Sequence, residues 1–279
     1  MKKFFLILFY SAGLLLLGRN LLFLPIVNPK TEEQKSELVK QKVAEFISKE
    51  DLKFSVYYKD LVTGQTFGID ENKVLTGASL NKLVIVAYLY NLAKDNKINL
   101  EEKVVVQKED IQDYGTGSIR YDEPGKVYSL KTLAKLSLEQ SDNTAAHLLV
   151  LKLGVDEVEE YRKRLGLVAT DMENNKTSSR DMGKLLDLVY SRKITSEALT
   201  LELLDFMKDT DFEDRIPRFI DGDVKIYHKT GDAVGMIHDV AIVEGKRKFI
   251  LSVLTSEVGD EEKAKNVIGR LAKIIYDGD

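Results

Sequence analysis

The feature that most constrains this chain is the segment Ser79-Leu-Asn-Lys82 and the apolar run behind it. Leu83 to Ala93 is uncharged over eleven residues, a length that favours a helix although its β-branched and aromatic residues also suit a strand. On a helix, Ser79 and Lys82 lie on one face, a turn apart. Burial disfavours a charged ammonium, so the pattern predicts a neutral amine beside a hydroxyl, a nucleophile paired with its base. Taken alone, these residues equally fit a helix cap and a solvated lysine.

Two further motifs lie downstream of this segment. Ser141-Asp-Asn143 stands between two apolar helical patterns, and Lys229-Thr-Gly231 ends a strand pattern. Each motif alone also fits a plain turn or strand end. The three together, in this order, are the set found in class A β-lactamases and penicillin-binding proteins.

The chain therefore resembles class A β-lactamase-type serine hydrolases, and the resemblance runs from about residue 54 to residue 276. The segments that carry it beyond the first motif are Gly115-Thr-Gly-Ser-Ile, Gln140-Ser-Asp-Asn-Thr-Ala, His228-Lys-Thr-Gly and His238-Asp-Val-Ala-Ile-Val.

The order of the elements predicts an α/β (α+β) fold in two lobes. We expect an antiparallel sheet flanked by N- and C-terminal helices, because no stretch alternates strand and crossover helix as a parallel sheet requires. A mostly helical insertion forms the second lobe. The catalytic domain is predicted over 30–279, with the sheet lobe at 30–75 and 210–279 and the helical lobe at 76–209.

The predicted elements follow from apolar spacing and turn residues. Helices are expected within 30–53, 76–94, 129–153, 155–165, 180–190, 195–208 and 261–276, strands at 54–60, 65–69, 224–230, 239–244 and 248–255, and a loop over 95–126.

The resemblance implies a role for each motif residue in acyl transfer. Ser79 attacks a carbonyl and becomes acylated, while Lys82 accepts its proton. Backbone N–H groups of Ser79 and Asp232 form the oxyanion hole, and Ser141 passes a proton to the leaving nitrogen.

Substrate binding is implied for the remaining motif positions. Asn143 carries donors and an acceptor on one amide, so it can hold both Lys82 and a substrate amide. Lys229 and Thr230 bind a substrate carboxylate. Gly231 permits a close backbone approach, so that substrate pairs along the strand edge.

Three positions add weaker expectations. Tyr114 is a candidate for the cleft wall. His238 is a candidate for the substrate carboxylate, a role that an Arg fills in many relatives. Asp232 stands beside the predicted carboxylate pocket, where an acid would repel an anionic substrate.

The chain departs from the resemblance where the deacylating acid is expected. Such enzymes hydrolyse the acyl-enzyme with a Glu on a long loop, followed four residues later by an Asn. Here the loop 168–179 is short, Glu173 is its only Glu, and Thr177 stands at the fourth position, although Asn174 and Asn175 follow Glu173 directly. Glu173 is the candidate base, and a solvated loop residue is its other interpretation.

Three functions remain open at this point. We expect a serine β-lactamase-family hydrolase that forms an acyl-enzyme on Ser79 with β-lactams. The alternatives are a penicillin-binding-like peptidase acting on peptidoglycan stem peptides that end in D-Ala-D-Ala, and a β-lactam or peptidoglycan sensor without turnover.

The N-terminus reads as an export segment. Lys2 and Lys3 precede 24 residues, Phe4 to Val27, that are interrupted by one charge, Arg19. No small-x-small cleavage site precedes Pro29. We therefore predict an uncleaved membrane anchor over 1–29 and an extracytoplasmic domain, with a cleaved signal peptide as the alternative.

Composition narrows the chemistry. Residues 1–29 hold three basic residues and no acidic one, so the remaining 38 basic and 45 acidic residues leave a net charge of −7, which argues against a nucleic-acid partner. The chain has no Cys and three His, none paired at ligand spacing. We therefore expect no metal and no cofactor, and a catalytic domain that is monomeric.

Overall fold

The computed structural model describes residues 31–278. The predicted anchor at 1–29 lies outside the described residues. Within 31–278, none of the helices has the length and apolar character needed to cross a bilayer.

A five-stranded antiparallel sheet forms the centre of the fold, in the order β2-β1-β9-β8-β7. Its strands are β1 (Lys53–Asp60), β2 (Thr66–Ile69), β7 (Lys225–Ala233), β8 (Met236–Glu244) and β9 (Lys248–Ser256). The sequence predicts the first hairpin from alternation and the Thr63-Gly64 turn, and the last three strands from apolar runs separated by glycine turns. Strand β7 is an edge of this sheet, which matters for the site below.

Eight α-helices surround the sheet in the described part of the chain. They are α1 (Glu32–Ile47), α2 (Lys82–Lys94), α3 (Leu130–Glu139), α4 (Asn143–Leu153), α5 (Val155–Arg164), α6 (Ser179–Tyr190), α7 (Glu197–Asp205) and α8 (Glu261–Asp277). Helices α1 and α8 contact each other and cover one face of the sheet, and the helices from α2 to α7 form the other lobe.

The sheet separates two apolar cores because side chains alternate along its strands. On β8, Val240 and Ile242 join the core under the helical lobe, whereas Ala241 and Val243 join the core under α1 and α8. All four are fully buried. Because β8 is covered on both faces, its side chains are apolar on both, which explains the nearly continuous apolar run in the sequence.

Two small sheets were not predicted. Strand β3 (Leu75–Thr76) pairs with β6 (Lys176–Thr177), and β4 (Lys103–Val105) pairs with β5 (Val127–Ser129). Pieces of two or three residues carry no measurable alternation, so the sequence does not predict them as strands, and Thr76 and Ser129 fall at the starts of the helices predicted over 76–94 and 129–153. The first pair ties the segment before Ser79 to the loop that carries Glu173.

Candidate active site

Ser79 lies in a 3₁₀ turn, Ala78–Asn81, that leads directly into α2. The helix predicted over 76–94 therefore begins as 3₁₀ and becomes α-helical at Lys82. Ala78 has a φ of +49°, a left-handed conformation that costs an Ala energy. This bend places Ser79 at the start of the turn, where the backbone N–H groups have no partner within the helix.

A cavity of about 550 Å³ opens beside this turn. Its wall contains residues of all three predicted motifs, together with Asp232, which directly follows the third motif. The motif residues in its wall are Ser79, Lys82, Ser141, Asn143 and Thr230, and Asp232 adjoins them. The structure thus gathers most of the predicted site residues in one crevice between the sheet edge and the helical lobe.

Lys82 is buried, and its amine contacts both ends of the second motif. Its Nζ donates to the Asn143 Oδ1 at 2.7 Å and to the Ser141 carbonyl oxygen at 2.5 Å, and it lies 3.3 Å from Ser141 Oγ. Burial outweighs the attraction of Asp142 and lowers the pKa of Lys82 to about 7. The neutral amine expected from the sequence is thus within reach at neutral pH.

The Ser141 hydroxyl lies between two amines. Lys229 Nζ is 2.9 Å from Ser141 Oγ and also donates to the Thr230 carbonyl oxygen at 2.8 Å. Lys229 is buried behind the cavity wall, and this burial together with repulsion by Lys82 and Arg215 holds its pKa well below the usual range. Ser141 can therefore exchange protons with either lysine.

The second motif is fixed by the start of α4 and by a glycine loop. Asp142 caps the helix, accepting from the Ala145 N–H at 2.8 Å and from the Ile119 N–H at 2.9 Å. Gly117 has a φ of +115°, and a Cβ there would lie 2.5 Å from the Asp142 Cα. Only a residue without a side chain lets this loop approach the motif so closely.

Strand β7 approaches the Ser79 turn at Gly231. An ideal Cβ on Gly231 would lie 3.1 Å from the Gly77 carbonyl oxygen and 3.4 Å from the Ala78 Cβ. The His228 N–H donates to the Met207 carbonyl oxygen and not to β8. Because backbone N–H groups point to alternate sides along a strand, the N–H groups of Thr230 and Asp232 face the same open edge of β7 as that of His228. The Asp232 N–H therefore faces the side on which the predicted oxyanion hole lies.

Asp232 is held by Arg215, a residue outside the three motifs. The Arg215 Nη1 lies 2.7 Å from Asp232 Oδ1, and its Nη2 donates to Oδ2 at 2.8 Å. The Arg215 side chain is 1% exposed, whereas that of Asp232 is 48% exposed. Arg215 stands 17 positions before Asp232 and belongs to no motif, so no signal in the sequence joins the two.

Tyr114 and His147 are among the cavity residues that come from outside the motifs. Tyr114 lies at the cavity wall, is 63% exposed, and accepts at its backbone oxygen from the Asn143 Nδ2 at 3.0 Å. His147 lines the cavity one helical turn beyond Asn143. His147 follows Asn143 by four positions and so lies on the same face of α4, a spacing that could have indicated its place beside the site.

The expectation for His238 is wrong. The ring is fully buried, its Nε2 donates to the Thr76 carbonyl oxygen at 2.9 Å, and its Nδ1 accepts from the Thr255 N–H at 3.1 Å. Both nitrogens are used within the fold, and the ring is absent from the cavity wall. His238 therefore cannot reach a substrate carboxylate, and it ties the Ser79 turn to the sheet instead.

Glu173, the candidate base, does not lie in the cavity wall. Its side chain is exposed, whereas Met172 and Asn175 of the same loop line the cavity. Asn175 instead accepts from the Asn81 Nδ2 at 2.9 Å, next to the Ser79 turn. Of the described residues that line the cavity, Asp232 is the only one with a carboxylate.

His228 supports the third motif from behind. The ring is fully buried, with Nδ1 3.0 Å from Asp239 and Nε2 3.1 Å from Glu213. Burial opposes its charge, but the two carboxylates outweigh burial and raise the pKa of His228 to about 9. The ring is therefore a buried cation between two acids. Across residues 31–278, this cluster included, no group of three or more His, Asp or Glu side chains is placed to hold a metal ion.

The chain is similar in sequence and in structure to known proteins. A model of the Beta-lactamase enzyme family matches residues 38–278. Beta-lactamase 3 of Bacillus cereus is 26% identical over 246 residues, covering 81% of this chain and 76% of that protein. PBP-A superposes with a TM-score of 0.80 at 23% identity, over 86% of this chain and 95% of that one. A PBP-A mutant, solved as an acyl-enzyme complex with penicillin G, gives the same TM-score at 22% identity, over 89% and 98%. The predicted two-lobe fold is confirmed.

Proposed function

This chain belongs to the class A β-lactamase enzyme family, and from that premise we propose that it is a serine hydrolase that opens β-lactams by forming an acyl-enzyme on Ser79. The observation that carries the proposal is the hydrogen bonding of the buried Lys82 amine. Its neutral form has two N–H groups, and the Ser141 carbonyl and the Asn143 amide accept both. The lone pair is then left for the proton of the Ser79 hydroxyl, one turn away.

The acylation steps follow from the positions of the proton donors and acceptors. Ser79 Oγ bonds to the lactam carbonyl carbon as its proton passes to Lys82 Nζ. The N–H groups of Ser79 and Asp232 stabilise the negative oxygen that develops. The C–N bond then breaks, the leaving nitrogen takes the proton of the Ser141 hydroxyl, and Ser141 regains a proton from the protonated Lys82.

Hydrolysis of the acyl-enzyme is expected to be slow. Glu173 is exposed outside the cavity, and the carboxylate of Asp232 is held by Arg215. Neither acid is placed to activate a water, and a missing general base costs about 10²- to 10⁴-fold in rate. We therefore propose fast formation and slow release of the acyl-enzyme.

A penicillin-binding-like peptidase is the second candidate, because β7 is an open sheet edge beside Ser79. An extended peptide can pair with the N–H and C=O groups of Thr230 and Asp232 at that edge, as in other cases of strand addition. Acylation by the peptide would use the same Ser79 chemistry.

Intact-mass spectrometry after mixing with penicillin G tests the proposal. We expect one adduct per chain that persists for many minutes, and its absence in Ser79→Ala. Ser118→Ala is the matched control, since Ser118 is exposed and lies outside the cavity wall, and it should keep the adduct. Rapid turnover without an adduct would contradict slow release, and no reaction at all would overturn acylation on Ser79.

We also propose an extracytoplasmic, membrane-tethered location, which rests on the N-terminal sequence pattern alone. The full chain should sediment with membranes and a chain without residues 1–29 should not. Recovery of the full chain in the soluble fraction at full length would contradict the tether.

A further inference from the structure

Few of the basic side chains near the cavity can offer a positive charge to a ligand. Lys82 and Lys229 are both buried, and burial lowers the pKa of each, most strongly for Lys229. Arg215, in contrast, keeps its charge, because the neighbouring carboxylates outweigh the cost of its burial and raise its pKa. A carboxylate entering beside Thr230 would depend mainly on Arg215 for attraction.

Arg215 is, however, already occupied by a carboxylate of the chain itself. Asp232 takes both of its terminal nitrogens in a fork, at 2.7 and 2.8 Å. The remaining contacts of the guanidinium are to the His238 carbonyl oxygen at 2.8 Å and to Asp214 at 3.2 Å. A bidentate pair of this kind is a strong, charge-assisted interaction. The contacts engage all three nitrogens of the guanidinium, and Arg215 is not part of the cavity wall.

The geometry also places Asp232 where an incoming anion would meet it. Its side chain lines the cavity and is half exposed, whereas Arg215 lies behind it and is buried. An anion at the cavity wall therefore meets the carboxylate first and the guanidinium second. Since attraction and repulsion between unit charges fall with distance, the nearer acid dominates.

We propose that Asp232 is the specificity-determining residue of this site and that it selects acyl donors whose carboxyl group next to the scissile amide is uncharged. Acyl donors in which this carboxyl group is esterified or amidated belong to this class, because they lack the negative charge but keep the shape of the parent acid. The inference rests on the proposed function, because it assumes that Ser79 is acylated. It sets this chain apart from the carboxylate-binding site that the resemblance implies.

A pair of substrates that differ only in this charge tests the inference. The second-order rate constant for acylation is measured by intact-mass spectrometry with penicillin G and with its methyl ester. In the wild type, we expect the ester to react at least as fast as the acid. In Asp232→Asn, we expect the rate with penicillin G to rise on the order of tenfold while the rate with the ester changes less than about threefold.

Asp214→Asn is the matched control for this experiment. Asp214 contacts the same guanidinium at Nε and is bound by Lys265, but it is not part of the cavity wall. The variant changes the net charge as Asp232→Asn does, and should leave the ratio of the two rates near its wild-type value. An equal rise in both variants would mean that net charge sets the ratio, which would overturn the role of Asp232.

Further outcomes separate the inference from the function on which it rests. Adducts that form at an unchanged acid-to-ester ratio in Asp232→Asn would overturn the inference and leave acylation intact. No adduct with either compound, in the wild type or any variant, would remove the proposed function and the inference with it. If Asp232→Asn does not fold, Asp232→Ser, checked by thermal unfolding, must give the same shift in ratio.

Discussion

At the scale of single residues, the Lys82 amine sets how the chemistry responds to pH. Its folded pKa is about 7, and the neutral form is the base. The acylation rate constant should therefore rise as pH increases through about 7 and level off above it. Pre-steady-state acylation by penicillin G between about pH 5 and 9 measures this. A rate that does not change across the range would contradict Lys82 as the base.

Lys82→Arg is the companion variant. A guanidinium stays charged at every pH in this range and cannot accept the Ser79 proton. We expect acylation to fall by at least about 100-fold and the rise near pH 7 to disappear.

The placement of Met172 predicts how deacylation can be restored. Its side chain lines the cavity, and its neighbour Glu173 does not. Met172→Glu should add a partly buried carboxylate that can activate water, and should speed release of penicilloate by on the order of 100-fold. Stopped-flow mixing followed by mass spectrometry gives this rate. Glu173→Gln is its control and should not alter release, so slower release in that variant would restore Glu173 as the base.

Residue identity was predictable where motifs carry it and unpredictable where only the fold does. The two short motifs, each with its own fixed spacing, identify Ser79, Lys82, Ser141 and Asn143. Arg215 acquires its place through the path of the chain after α7, which no local pattern encodes.

At the scale of elements, the contact of β7 with the Ser79 turn depends on Gly231. An added Cβ would meet the Gly77 carbonyl oxygen and the Leu80 Cγ at 3.1 Å, and neither a backbone nor a buried Leu moves cheaply. Gly231→Ala should lower the free energy of unfolding by about 1–3 kcal/mol and slow acylation more than tenfold. Urea unfolding and the acylation assay measure both effects.

Gly259→Ala provides the comparison for Gly231. It lies in an exposed loop with nothing within 4 Å of an added Cβ. We expect a change within about 0.5 kcal/mol. Equal effects at both glycines would show that β7 and the turn are not in tight contact.

Elements were predictable in proportion to their length. The uncharged run of α2 and the strand-like runs of β7 to β9 are long enough to identify, whereas β3 and β6 hold two residues each. His238 lies just before the strand predicted over 239–244, which in the structure already begins at Met236. Its contact with the Thr76 carbonyl comes from the other lobe, so the strand pattern could not reveal it.

At the scale of the whole molecule, the buried His228 links stability to pH. A pKa raised from 6.5 to about 9 stabilises the fold fully below about pH 6.5, and this stabilisation is lost as pH rises through 9. The expected size is roughly 3 kcal/mol. Lys82 and Lys229 act in the opposite sense, because their lowered pKa values make the fold gain stability as pH rises.

The difference between the wild type and His228→Gln isolates the histidine contribution. Urea unfolding at about pH 6 should show a large gap in the free energy of unfolding between the two proteins. At about pH 9.5 that gap should shrink by most of the 3 kcal/mol. A gap of equal size at both pH values would mean that the ring is not a buried cation.

The pairing of α1 with α8 has a practical consequence for handling the protein. These helices carry the first and last described residues and cover the sheet face opposite the helical lobe. Attachment to a bead or a chip through either Thr31 or Gly278, which cap these two helices, therefore holds the molecule by that face, whereas most residues of the cavity wall belong to the helical lobe. Reagents in solution should reach an immobilised molecule as readily as a free one.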